Sequence, residues 1–108
     1  VKAAAFQLEH EHLPDATVVR ARGRFDAGAG EAIEQLLSVG TGPCVVLNLG
    51  AIEYISSSGV AALVKLSSTR PLRIAGPAQC VRDVLSLAGI ERVLSIHVDE
   101  EAARHAGA

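Results

Sequence analysis

The sequence predicts an α/β fold on a mixed, largely parallel sheet of about five strands with about four helices. Three observations carry that expectation. Short runs rich in Val, Leu and Ile alternate with helical stripes along the chain. The run Cys44-Val45-Val46-Leu47-Asn48-Leu49 is continuous and apolar between Pro43 and Gly50, as a central strand covered on both faces would be. The 108 residues, 49% apolar and 20% charged, suffice for one core without staples, so a single domain over residues 1–108 is expected. With 3% aromatic residues, that core has to be aliphatic.

Taken in order, Phe6, Gln7 and Leu8 alternate as a first strand before the Pro14-Asp15 turn. Thr17-Val18-Val19-Arg20-Ala21-Arg22 begins β-branched and ends alternating, which predicts a strand with one solvated face, ended by Gly23. After Asp26, a plausible N-cap, Ala29, Ile33, Leu36 and Leu37 share one helical stripe, with Glu31, Glu34 and Gln35 outward and an exit at Gly40 to Gly42. Between Ser58 and Thr69, Val60, Leu63 and Val64 fall at i, i+3 and i+4, and Arg70-Pro71 supplies the stop. Leu72-Arg73-Ile74-Ala75 reads as a short strand ended by Gly76-Pro77, and Val81, Val84, Leu85 and Ala88 as a helix closed by Gly89. Leu94 to Val98 alternates as a last strand, and Asp99 caps a brief helix through Ala103, with a frayed tail from Arg104. Strands alternating with helices imply crossover connections onto parallel strands.

In such a sheet the loops after the strands' carboxyl ends gather on one rim, where ligands and partners dock. Asp26 and the segment Tyr54-Ile55-Ser56-Ser57-Ser58-Gly59-Val60 share that rim. The serines open a helix, where the first N–H groups lack intrahelical partners and a hydroxyl serves as a cap. Three hydroxyls exceed what one cap needs. A helix N-terminus also favours negative charge, so a phosphate on Ser57 or Ser58 would be tolerated by the fold while changing its surface by about −1.5 to −2 charges.

The order of elements, together with Asn48-Leu49-Gly50-Ala51-Ile52-Glu53-Tyr54-Ile55-Ser56-Ser57-Ser58-Gly59-Val60, resembles the signature of STAS domains, typified by anti-sigma factor antagonists. Gly23-Arg24-Phe25-Asp26 resembles the family's Gly-Glu-Leu-Asp, and Leu85-Ser86-Leu87-Ala88-Gly89-Ile90 its late Leu-x-Leu-x-Gly-Leu stretch. The resemblance implies a binding module that docks on a kinase-type anti-sigma factor and is switched by serine phosphorylation. It carries the phosphate acceptor onto Ser58, with Ser57 as second choice, and the partner surface onto Asp26, Ser56, Ser57, Ser58 and Gly59. Ser56 stands where the family has an acidic residue. That departure keeps open a second reading, a structural subunit of a larger assembly such as a stress-signalling scaffold or lipid-transport complex, without a working phospho-switch.

Other chemistries find little support. A formal net charge of −2 with scattered Lys and Arg gives no field for nucleic acid. No apolar run approaches the roughly 20 residues that span a bilayer, and Val1 to Phe6 lack a signal-peptide core, so no membrane insertion or export is expected. Cys44 and Cys80 each lie in an apolar segment and read as two buried thiols rather than a disulfide, which implies a cytoplasmic home. Ser56 to Gly59 does not present Gly-x-Ser-x-Gly, and His97 stands apart from His10, His12 and His105, so no enzyme is expected. His10-Glu11-His12 lacks a third ligand nearby and reads as a solvated segment, without a metal. Gly28-Ala29-Gly30 reads as a loose helix start rather than a phosphate cradle, and no cofactor is expected. The resemblance implies a protein partner, an anti-sigma factor or serine kinase, and a monomer or weak dimer is expected.

Overall fold

In the computed structural model, which describes residues 6–38 and 44–105, the elements follow in the expected order. They are β1 (Gln7–His12), β2 (Thr17–Phe25), α1 (Ala27–Leu37), β3 (Val45–Ile55), α2 (Ser57–Thr69), β4 (Leu72–Ala75), α3 (Gln79–Leu87), β5 (Ser95–His97) and α4 (Glu100–His105). The strands form one sheet in the order β1-β2-β3-β4-β5. β1 is antiparallel to β2, and the remaining neighbours are parallel. The expected mixed sheet is therefore present, and Val45 to Leu49 of the apolar run lie in its middle strand, with Cys44 just before it.

Alternation along the strands divides the interior in two. Val19, Ala21 and Phe25 of β2, Val45, Leu47 and Leu49 of β3 and Leu72 and Ile74 of β4 face one way, onto Ile33 and Leu37 of α1, Leu63 and Leu66 of α2, and Val81 and Leu85 of α3. On the opposite face Val18, Val46 and Ala75 meet Ala103 of α4, with Ala16 and Cys44 completing a much smaller cluster. The core is aliphatic apart from Phe25, which Phe6 meets edge-on at a centroid distance of 6.2 Å.

Several boundaries differ from those read in the sequence. β1 runs on to His12 because its partner, β2, supplies pairing from Arg22 to Thr17. Gly23 does not end β2. At φ 94° it lies beside a register shift, a bulge that lets the strand continue through Arg24 and Phe25. β3 likewise passes Gly50: Arg20 pairs with Asn48 but Arg22 with Ala51, so the extra residue is absorbed and pairing resumes through Ile55.

Gly30 is no loose start. It lies within α1 where a Cβ would come 2.5 Å from Ala62 Cβ, so its lack of a side chain sets the close approach of α1 and α2. Arg70 at the α2 exit adds an ion pair to Glu34 of α1, its Nη2 donating to both carboxylate oxygens at 3.0 and 3.2 Å. α3 closes at Gly89, φ 70°, with the Ile90 N–H donating to Leu85 O at 3.2 Å.

Cys44 is buried, but Cys80 is exposed, correcting the expectation of two buried thiols; both are free. Val81 and Leu85 take the inward stripe of α3, which turns Cys80 towards solvent. α4 retains Arg104 and His105, where a frayed tail was expected, because Arg104 pairs with Asp15 at 3.2 Å and Arg73 donates to the Ala103 and Arg104 carbonyls. The rest of that tail, like the Gly40 to Gly42 exit, lies outside the described residues.

Candidate functional site

Helices α1 and α2 begin where neighbouring strands end, so their N-termini lie side by side on the carboxyl rim of the sheet. Asp26, at the end of β2, is extended (φ −134°, ψ −167°) and its Oδ1 accepts from the Ala29 N–H at 3.1 Å. Ser56, at the end of β3, is extended too (φ −89°, ψ 169°), and its Oγ accepts from the Gly59 N–H at 3.0 Å. Both are N-caps. The β2 end joins the two, since the Phe25 carbonyl accepts from the Ser56 N–H at 3.0 Å.

Gly59 fits the same carbonyl. A Cβ there would lie 2.2 Å from Phe25 O and 2.9 Å from its carbonyl carbon, so backbone packing rather than turn geometry requires glycine. Reading the sequence alone found Gly59 as part of a motif but missed this contact, which no local pattern reveals.

The three serines divide the work. Ser56, half-buried, is the cap, while Ser57 and Ser58 are exposed in the first turn of α2. Ser56 Oγ and Ser58 Oγ are hydrogen-bonded at 2.9 Å, so the residue standing in place of the family's acid both caps the helix and holds the neighbouring hydroxyl. The first turn of α2 carries no acidic residue. No carboxylate of α2 itself therefore offsets the dipole at this end, a setting that favours an added anion.

From Ser58 a groove of about 670 Å³ runs between α1 and α2, floored by Ala27, Gly30 and Ala62 and flanked by Glu31 and Lys65. On the other side of the rim, the Arg24 guanidinium lies 4.3 Å from the centroid of the Tyr54 ring, which is 45% exposed. The extension of β3 past its bulge places this pair, and the sequence reading did not foresee it.

The histidines do not converge. His10 and His12 stack edge to face at 5.2 Å on β1, and His97 binds Ser95 Oγ at 2.7 Å on β5. Among the described residues no group of three or more His, Cys, Asp or Glu could hold a metal ion. No helix among them is long and apolar enough to cross a membrane.

A mixed five-stranded sheet with a capped serine turn on its carboxyl rim defines the class as a STAS-type α/β domain, and the family model for the STAS domain matches residues 7–103. The chain belongs to the STAS domain family. Anti-sigma factor antagonists are among the solved structures it resembles. One from Mycobacterium paratuberculosis superposes with a TM-score of 0.80 at 18% identity, covering 92% of this chain and 91% of that one. The anti-sigma factor antagonist SpoIIAA, unphosphorylated, gives 0.65 at 25% identity, covering 91% and 92%. The phosphorylated form of SpoIIAA, a Bacillus cell fate determinant, gives 0.60 at 24% identity, covering 91% and 96%. A comparison with curated proteins found no match.

Proposed function

We propose that this chain is a regulatory protein-binding module of the anti-sigma factor antagonist type. It docks on a kinase-type anti-sigma factor through the rim formed by Asp26, Ser56, Ser57, Ser58 and Gly59. Phosphorylation of Ser58, with Ser57 as the second acceptor, ends the docking. The observation that carries this reading is the division of labour among the serines: Ser56 caps the helix through the Gly59 N–H, while Ser58 is exposed and its hydroxyl bonds the Ser56 hydroxyl rather than the backbone. SpoIIAA, a relative of the same fold, is described in both an unphosphorylated and a phosphorylated form, which supports control of this fold by phosphorylation.

The physical effect of the switch is electrostatic. About two negative charges added at the N-terminus of α2 are accommodated by the helix dipole, so the module stays folded while its contact surface becomes negative. A partner shaped to a neutral hydroxyl surface is then repelled or left with an unpaired charge. On this reading the module works in the cytoplasm as a monomer or weak dimer, and it needs no catalysis of its own.

The test is incubation with candidate kinase-type anti-sigma factors and ATP, followed by mass spectrometry. Phosphate on Ser58 is the expected result, and its persistent absence from both Ser57 and Ser58 would remove the switch. The second reading, a structural subunit, is supported by the missing acid at Ser56. It predicts a stable, stoichiometric complex that is indifferent to ATP.

A further inference from the structure

Helix α4 is attached to the sheet in a different way from the other helices. Its buried residue is Ala103, against Val18, Val46 and Ala75, so it contributes one methyl group to that cluster. Polar contacts supply the rest. Glu100 receives a fork from Arg20, Nε to Oε2 and Nη2 to Oε1, both at 2.8 Å, and Asn48 Nδ2 donates to Oε2 at 2.6 Å. Arg20 is shared with Glu11 of β1 at 3.1 Å. At the other end Arg104 pairs with Asp15, and Arg73 donates to the last carbonyls of the helix.

From this geometry we infer that α4 is a detachable strap, held by ion pairs, that opens as a unit while the sheet and the three larger helices stay folded. Such pairs are partly exposed and weakened by salt, whereas the apolar packing of α1, α2 and α3 is not. A short helix with a single buried methyl belongs to the low-stability end of a fold, where local opening precedes global unfolding.

Opening has two consequences. It uncovers Val18, Val46 and Ala75, an apolar strip on the second face of the sheet. It also frees Asn48, whose Oδ1 accepts from the Gly50 N–H at 2.8 Å beside the β3 bulge, so the strap reaches the strand that ends in the serine turn.

Amide hydrogen exchange by NMR on the full chain tests this. The Ala102, Ala103 and Arg104 amides should exchange at least about tenfold faster than those of Val46 and Leu47, without dependence on urea at low concentrations. Raising salt from about 0.1 M to about 1 M should accelerate them and leave Val46 and Leu47 unchanged. Glu100→Gln should also accelerate them, whereas Glu101→Gln, at an exposed position of the same helix, should do so far less. Equal protection of α4 and β3 amides, with the same urea dependence, would overturn the strap. Acceleration absent from both high salt and Glu100→Gln would overturn its ion-pair latch.

Discussion

The two faces of the sheet are covered by different physics. On one, Phe25, Ile33, Leu47, Leu63, Leu66, Ile74 and Leu85 are fully buried between the sheet and three helices. On the other, α4 covers a strip of small side chains and is secured by Glu100 and Arg104. Apolar burial scales with area and resists salt, whereas half-exposed ion pairs add little and depend on conditions. The first face thus fixes where α1 and α2 begin, and with them the rim, while the second tolerates change.

Substitutions can break or sharpen that contrast. The largest effect is expected for Gly59→Ala, whose new methyl would overlap the Phe25 carbonyl and cost at least about 3 kcal/mol by urea unfolding. Leu63→Ala, fully buried in the same face, should cost about 2 to 5 kcal/mol. Ser56→Ala should cost about 1 kcal/mol as a lost cap and should also release Ser58.

Glu100→Gln should have the smallest effect, under about 1 kcal/mol near neutral pH. Its pH dependence is more telling. The carboxyl of Glu100 is held below its ordinary value of 4.5, first by the hydrogen bonds from Arg20, with Asn48 and the charges of Arg20 and Arg104 adding to this against the cost of burial. A lowered folded pKa stabilises the fold above the unfolded value, and that contribution is lost as pH falls through the folded one. The stability difference between wild type and Glu100→Gln should therefore shrink on acidification below about pH 4.5. A constant difference from neutral pH to pH 3 would show that Glu100 contributes through shape rather than charge.

Much of this arrangement was legible in the sequence because it rests on local pattern. The Cys44 to Leu49 run, the stripe of α1 and the Asp26 cap each need only a few neighbouring residues to be recognised, and each was found where expected. What escaped the reading depends on contacts between distant residues. The bulges at Gly23 and Gly50 lengthen β2 and β3 through pairing with one another, and a glycine in a run looks like an end. Gly30 looked loose because Ala62, its partner, stands on another helix. α4 seemed to fray at Arg104 since its anchors, Asp15 and Arg73, lie far back in the chain. At the rim, the motif drew attention to three serines, but only the geometry separated the capping Ser56 from the exposed Ser58.

That separation is the central claim, and binding measured alongside folding tests it directly. Ser58→Ala and Ser58→Asp are titrated calorimetrically against a kinase-type anti-sigma factor that binds the wild type, with urea midpoints taken in parallel. Unchanged midpoints are expected in both variants, with wild-type affinity for Ser58→Ala and a loss of at least about tenfold for Ser58→Asp. Equal affinity of the two variants would contradict a charge switch at Ser58, and a collapse of either midpoint would show that the fold depends on the Ser58 hydroxyl and not on the Ser56 cap alone.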